Sequence, residues 1–146
     1  MIYVTRKEHF NAAHRVYNPS WTDEENLRVF GICANQNFHG HNFELWVTVK
    51  GPIHPDTGFV VDMKKLGDMM KEAVIDKVDH RNLNLDVDFM QGIIPSCENF
   101  IVQIWNILAA RLPELSSTAQ LHYIKLIETP KNYVEYYGEY SGSKTL

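Results

Sequence analysis

Hydrophobic and polar residues alternate in four stretches of the chain, and a period of two is typical of β-strands with one buried face. Residues 2–10 alternate near the amino terminus, and their Tyr, Val and Thr content favours a strand. Residues 41–50 alternate more regularly and end at the turn signal Gly51-Pro52. The stretches 121–129 and 133–140, separated by Pro-Lys-Asn, predict a terminal hairpin.

Two further stretches repeat their hydrophobic residues every three or four positions, which predicts helices. Residues 62–78 carry such a stripe, and Asp62 is placed to cap its amino terminus. The methionines of this stripe indicate core packing rather than a cofactor site. Residues 96–112 carry the second stripe, with Ser96 as the cap and Pro113 as the stop.

The connection between the first two strands is unusually long. It spans roughly 30 residues, whereas an unstructured connection rarely exceeds about 12–15 residues. Such a loop is either functional or contains a short helix, for which residues 22–30 are the candidate, with Thr22 or Asp23 as the cap.

The order of these elements, ββααββ, predicts an α+β fold in which two helices cover one face of a four-stranded antiparallel sheet. The length of 146 residues favours one domain, residues 1–146, with a polar and flexible tail at residues 139–146. Open sheet edges lead us to expect a homo-oligomer.

Composition narrows the class of protein. The apolar fraction of 45% and the charged fraction of 22% are typical of a globular protein. The net charge of −4 and the lack of a Lys/Arg run argue against nucleic-acid binding. No apolar run suggests a membrane span or a signal peptide, and the two cysteines suit a reducing compartment, so we expect a cytoplasmic protein.

A His-Gly-His sequence at the start of the second strand is the first candidate for chemistry. Residues two apart in a strand share a face, so His39 and His41 project together, about 7 Å apart along the backbone. If the first two strands are antiparallel neighbours, His14 lies beside this pair. Three histidines without an obvious fourth ligand are typical of a catalytic zinc site, and His9 is the rival third ligand. His54 and His122 are expected at the surface.

Cys33 precedes the histidine pair by six residues. A thiolate beside a cation has a lowered pKa and can act as a base or nucleophile. The alternative is that Cys33 is a fourth zinc ligand in a closed structural site. The spacing permits both, and Cys97 is left as a small buried residue without an assigned role.

Two acidic groups complete the set of candidates. Asp79 and His80 are adjacent at the end of a predicted helix, where they form either a proton-transfer pair or an ordinary helix terminus. Glu128 ends a strand whose other residues are mostly apolar. A buried carboxylate needs partners, and the two N–H donors of a guanidine-like ligand would satisfy it.

Six motifs then occur in one order over nearly the full chain: FNAAH, C-x5-HGHN, DTGFVVD, VDHRNLN, PSCENF and IETP. In this order they resemble the 6-pyruvoyl-tetrahydropterin synthase family. The resemblance implies a T-fold subunit that assembles through its sheet into barrel-like trimers, often as a hexamer of two trimers. It also implies active sites at subunit interfaces.

The resemblance further implies roles for individual residues. The zinc ligands of the family match His14, His39 and His41, and its catalytic base matches Cys33. The implied cofactor is therefore Zn²⁺, and no redox cofactor is required because the substrate is both oxidised and reduced.

In the same way, Asp79 and His80 match the proton-relay partners of the base. Glu128 matches the pterin anchor, and Glu98 matches a second residue on the pterin side. The implied reaction is the conversion of 7,8-dihydroneopterin triphosphate to 6-pyruvoyl-tetrahydropterin with loss of triphosphate, which makes the protein a lyase.

Two other functions stay open at this point. The six-residue step from Cys33 to His39 and the long insert before it resemble the pyruvoyl-forming enzymes. Asp62, and Ser96-Cys97 in place of paired threonines, depart from that pattern, so a 6-carboxytetrahydropterin synthase of the queuosine pathway is the alternative. A non-catalytic zinc module is the third hypothesis.

Overall fold

A five-stranded mixed sheet forms the framework of the protein. The computed structural model describes residues 1–139, so the predicted tail lies outside the described residues from position 140 onward. The strands are β1 (Ile2–His14), β2 (His39–Gly51), β3 (Arg81–Asn82), β4 (Gln120–Thr129) and β5 (Asn132–Tyr136). Their order is β3-β1-β2-β4-β5, and every pair is antiparallel except β1 with β3, which is parallel.

The helices lie in the connections between the strands. They are α1 (Asp23–Phe30), α2 (Met63–Met70), α3 (Asp76–Val78) and α4 (Cys97–Arg111). A π-helical segment, Lys71–Ile75, joins α2 to α3 without a break. Short 3₁₀ helices occupy Gly31–Ala34, Asp88–Met90 and Leu112–Glu114. Within residues 1–139, none of the helices has both the length and the apolar character that crossing a bilayer requires.

The predicted α+β class is correct, but the predicted order ββααββ is incomplete. The candidate helix in the first connection is present as α1, and β3 adds a fifth strand parallel to β1. A strand of two residues is too short to produce an alternating pattern, so the sequence carries no periodic signal for it.

The first two strands are longer than predicted, and the additional residues position the site. We expected β1 to end at Phe10, but it continues to His14, and β2 begins at His39 rather than at His41. Alanine and asparagine have low strand propensity, yet this end of β1 pairs along its whole length with β2. The register sets His14 opposite His39.

One face of the sheet and the helices above it enclose the core. Phe10 and Phe43 stack at a centroid distance of 5.0 Å on neighbouring strands, and the ring of Phe100 from α4 meets both edge-on. The helical stripe beginning at Leu66 is buried as predicted, whereas Met63 is 57% exposed. Both α2 and α4 therefore cover the same face of the sheet.

Side-chain caps fix the starts of the three longer helices. Thr22 Oγ1 accepts a hydrogen bond from the Glu25 amide at 3.1 Å, so Thr22 rather than Asp23 is the cap of α1. Asp62 Oδ1 accepts from the amides of Lys64 and Lys65 at the start of α2. Such caps stabilise a helix by about 1 kcal/mol.

Candidate active site

Three histidine rings meet where β1 ends and β2 begins. The antiparallel register pairs His14 with His39 and Ala12 with His41. The three histidines lie on the same face as the core, and His14 is only 1% exposed. Ring centroids are 4.6 Å apart for His14 and His39, 5.2 Å for His14 and His41, and 4.9 Å for His39 and His41.

The nitrogens of these rings are arranged to bind a cation. His14 Nδ1 donates a hydrogen bond to the carbonyl oxygen of Pro95 at 2.9 Å, so His14 Nε2 has no proton to donate and carries a free lone pair. Among the described residues, the buried side-chain atoms without a hydrogen-bond partner are His14 Nε2, His39 Nδ1 and His41 Nε2. One ligand atom from each of these residues lies within 4.8 Å of the other two.

An unpartnered buried polar atom costs about 1–3 kcal/mol, so three of them together need an explanation. A metal ion placed between them would satisfy all three. Burial is the main cause that lowers the pKa of His14 and of His39, and the neighbouring imidazoles lower it further. The neutral imidazole that results is the form that binds metal.

The other histidines lie away from this cluster. His9, the rival ligand, points to the opposite face of β1 from His14 and is exposed. Its register partner on β2 is Glu44. His54 lies in the turn after β2, where its Nδ1 accepts from the Asp56 amide. The metal-binding group found among residues 1–139 contains the three histidines alone, so Cys33 is not placed as a fourth ligand.

Glu128 lies directly beside the histidines. Its Oε2 is 3.8 Å from His14 Nε2, and its Oε1 is 3.8 Å from His41 Nε2. The same Oε2 accepts a hydrogen bond from the thiol of Cys97 at 2.9 Å. The carboxylate that we predicted to be buried and in need of partners is thus partly buried, at 21% exposure, and faces the histidine cluster and a thiol.

A cavity of about 570 Å³ adjoins this group. Its wall includes Cys33, Cys97, Glu98 and Glu128. The carbonyl oxygen of Cys33 accepts a hydrogen bond from the Val16 amide at 2.8 Å, which ties the 3₁₀ segment to the chain leaving β1. Four of the predicted or newly found site residues thus share one concave surface.

Asp79 and His80 form a second polar group, held by the backbone of Asn11. The Asn11 amide donates to Asp79 Oδ1 at 2.9 Å, and the His80 amide donates to the Asn11 carbonyl oxygen at 2.6 Å. His80 Nδ1 lies 3.0 Å from Asp79 Oδ1. The hydrogen bond from the Asn11 amide, and after it the hydrogen bond from the His80 ring, lower the pKa of Asp79.

The backbone of His80 adopts φ 59°, in the left-handed region, which costs a non-glycine residue about 1–2 kcal/mol. The helix α3 has already ended at Val78, and the His80 side chain is 75% exposed. His80 lines a different cavity, of about 680 Å³, which has no lining residue in common with the cavity of Cys33. Within one chain His80 and Cys33 therefore line separate cavities.

Sequence reasoning missed two contacts of the site. The start of α4 supplies both the Pro95 carbonyl oxygen that holds His14 and the Cys97 thiol that holds Glu128. Cys97 and Glu128 are 31 positions apart, and His14 and Pro95 are 81 apart. Contacts over such separations leave no local pattern to detect.

Comparison with known proteins finds relatives that match almost the entire chain. A family model described as 6-pyruvoyl tetrahydropterin synthase matches residues 3–139. The 6-pyruvoyl tetrahydrobiopterin synthase of Pongo abelii is 43% identical over 136 residues, which cover 93% of this chain and 91% of the relative. The 6-carboxy-5,6,7,8-tetrahydropterin synthase of Bacillus subtilis is 28% identical over 136 residues, covering 91% of this chain and 83% of the relative.

A solved structure shows that the likeness extends to the fold. The 6-pyruvoyl tetrahydropterin synthase of Caenorhabditis elegans superposes with a TM-score of 0.85 at 35% identity, covering 94% of this chain and 96% of that chain. The motifs, the sheet with its histidine cluster and these matches along almost the entire chain lead to one conclusion. The protein belongs to the 6-pyruvoyl tetrahydropterin synthase family.

Proposed function

We propose that the protein is a zinc-dependent lyase that converts 7,8-dihydroneopterin triphosphate to 6-pyruvoyl-tetrahydropterin and releases triphosphate. The observation that carries the proposal is the set of three buried histidine nitrogens that have no partner among the described residues and lie beside Glu128, a carboxylate that lines a cavity together with Cys33. Membership of the family supports the same substrate class.

The donor set fits Zn²⁺. Three neutral imidazoles with no fourth protein ligand among residues 1–139 correspond to a catalytic site, in which one position is left for water or substrate. His14 Nε2, His39 Nδ1 and His41 Nε2 would hold the ion. Bound there, zinc would supply Lewis acidity to the hydroxyl groups of the pterin side chain.

Cys33 is the proposed base. It lines the cavity next to Glu128 without belonging to the metal-binding group, so its sulfur is available for proton transfer. In the proposed reaction it removes a proton from a side-chain carbon that bears a hydroxyl group. The non-catalytic zinc module requires Cys33 as a ligand. Since Cys33 is not part of the metal-binding group, the geometry favours the catalytic hypothesis.

The two carboxylates of the cavity suit different ends of the substrate. Glu128 lies 3.8 Å from two metal-binding nitrogens, which places it at the hydroxylated side chain if that side chain binds the metal. The guanidine-like edge of a pterin lies on the far side of the ring from this side chain. We therefore propose Glu98, which lines the same cavity, as the principal anchor of the ring, with Glu128 closer to the reacting carbons.

Neutralising each carboxylate in turn separates these roles. We expect Glu98→Gln to raise KM by about 10-fold or more, because a charged hydrogen bond contributes about 1.5–3 kcal/mol, with a small change in kcat. We expect Glu128→Gln to lower kcat with a smaller change in KM. Steady-state kinetics and zinc analysis measure both, and Glu44→Gln, exposed and on the outer sheet face, is the control. The reverse pattern would restore Glu128 as the principal anchor.

The complete site is proposed to form between subunits. His80, whose Nδ1 lies 3.0 Å from Asp79 Oδ1, lines a cavity separate from that of Cys33, yet a proton relay requires the pair within hydrogen-bond reach of the base. The family resemblance implies active sites at subunit interfaces. We therefore assign the Asp79-His80 pair of one chain to the Cys33 of another, in a trimer or hexamer.

The alternative product is a 6-carboxytetrahydropterin, and the structure weakens part of the case for it. Asp62 and Ser96, which depart from the pyruvoyl pattern, are helix caps: Asp62 at α2 and Ser96, which accepts from the Asn99 amide at 3.2 Å, at α4. A capping role accounts for these residue types without reference to the product.

Product analysis tests the proposed function. The purified, zinc-loaded protein is incubated with 7,8-dihydroneopterin triphosphate, and the products are identified by mass spectrometry. We expect 6-pyruvoyl-tetrahydropterin with inorganic triphosphate. A carboxy pterin with acetaldehyde would identify the alternative enzyme, and an unchanged substrate would leave the non-catalytic zinc module.

A further inference from the structure

The segment 95–97, where the chain enters α4, contacts two residues of the candidate site at once. The carbonyl oxygen of Pro95 accepts a hydrogen bond from His14 Nδ1 at 2.9 Å, and the thiol of Cys97 donates to Glu128 Oε2 at 2.9 Å. Ser96 between them caps the helix through the Asn99 amide. The backbone that carries the Cys97 side chain is therefore fixed at the helix start.

The thiol is suited to act as a donor to the carboxylate. Burial and, after it, the hydrogen bond to Glu128 raise the pKa of Cys97 well above its usual range, so the sulfur keeps its proton. The group is partly buried on the cavity wall. A hydrogen bond to an ionised acceptor is stronger than one between neutral groups.

This hydrogen bond sets the rotation of the Glu128 carboxylate. With Oε2 held by the thiol, that oxygen lies 3.8 Å from His14 Nε2, and Oε1 lies 3.8 Å from His41 Nε2. Apart from this thiol, no hydrogen-bond donor to Glu128 is found in the described part of the chain. Without the thiol, the terminal torsion of the glutamate side chain, which is broad, would be free to turn.

We infer that Cys97 is a positioning residue, which holds Glu128 in the orientation that directs one oxygen toward each of His14 and His41. The inference rests on the proposed function, because it is Glu128 at the substrate side chain that needs this orientation. It assigns a role to a cysteine for which the sequence suggested only core packing.

Steady-state kinetics test the inference with a graded set of variants. We expect Cys97→Ala to lower kcat about 10-fold, as the loss of one hydrogen bond to a charged group implies, with KM and zinc content nearly unchanged. We expect Cys97→Ser to recover most of kcat, because a hydroxyl group can donate to the same oxygen. Equal kcat in Cys97→Ala and wild type, or equal impairment of the serine and alanine variants, would overturn the inference.

A spectroscopic measurement tests the hydrogen bond without turnover. The chain has two cysteines, so a Cys33→Ala background leaves Cys97 as the source of the infrared S–H stretching band. We expect Glu128→Gln to move this band toward the frequency of a free thiol, and Glu98→Gln, on the same cavity, to leave it in place. A band that does not respond to Glu128→Gln would refute the contact.

The two readouts separate this inference from the proposed function. If the wild-type protein converts no dihydroneopterin triphosphate, the proposed function fails and the catalytic part of the inference fails with it. The S–H band in that case still decides whether Cys97 holds Glu128. If turnover is normal and the band is unaffected by Glu128→Gln, the proposed function stands and the inference is wrong.

Discussion

Replacing His39 with alanine is expected to release the bound metal and to abolish turnover. Within the part of the chain that the structure describes, His39 Nδ1 is one of three buried ring nitrogens without another partner, so its removal leaves two ligands for the ion. Loss of a residue that only supports a ligand already costs about 10–100-fold in metal affinity, and loss of the ligand itself should exceed this. Elemental analysis after dialysis measures zinc per chain, and the assay of pyruvoyl pterin formation measures kcat.

His9→Ala is the matched control for this variant. His9 lies on β1 near the cluster but on the opposite, exposed face, where it pairs with Glu44 of β2. We expect the His9 variant to keep its zinc and its activity. Full zinc content in the folded His39→Ala protein would contradict the three-histidine site, and loss of zinc from the His9 variant would reopen the choice of the third ligand.

A mixed oligomer of two inactive variants is expected to regain part of the activity that each variant lacks by itself. Cys33→Ala removes the proposed base and His80→Ala removes its relay partner. Each change should lower kcat by about 10²–10⁴-fold, the usual contribution of a general base, with zinc retained. In a mixed oligomer, a chain that carries intact His80 can meet the intact Cys33 of a neighbour. Dissociating and reassembling the two variants together is then expected to restore part of the activity.

This recovery depends on a site built from two chains. If Cys33 and His80 acted within one chain, every chain of the mixture would remain defective and no activity would return. A mixture of Asp79→Ala with His80→Ala is the control, because both changes lie in the same pair and cannot complement each other at one site. Recovery in the Cys33 and His80 mixture alone would support the assignment across the interface, and no recovery would contradict it.

The predictable part of the fold rests on periodic patterns. The alternation in the strands and the stripes in the helices indicated the α+β class, and the caps Thr22, Asp62 and Ser96 marked the three helix starts. The β3 strand was missed because two residues show no period. The far end of β1, Asn-Ala-Ala-His, was missed because its residues have weak strand propensity. In the folded protein it nevertheless pairs with β2.

Predicting the histidine cluster requires both the sequence pattern of β2 and the register between β1 and β2. The period of two along β2 placed His39 and His41 on one face, and this followed from the sequence. The approach of His14 depends on the register between β1 and β2, which the backbone hydrogen bonds of the folded sheet determine. The choice of His14 over His9 then follows from the side of the sheet to which each points.

The sequence by itself determined the local elements, the helix caps and the residue types able to carry the chemistry, because these depend on neighbouring positions along the chain. Only the tertiary structure decided which of those residues meet. It placed Glu128 beside the histidines, set the Cys97 thiol against Glu128 and left His80 on a separate cavity from Cys33. Such contacts join residues far apart in sequence, and the packing of α4 against the sheet, rather than any short-range pattern, brings them together.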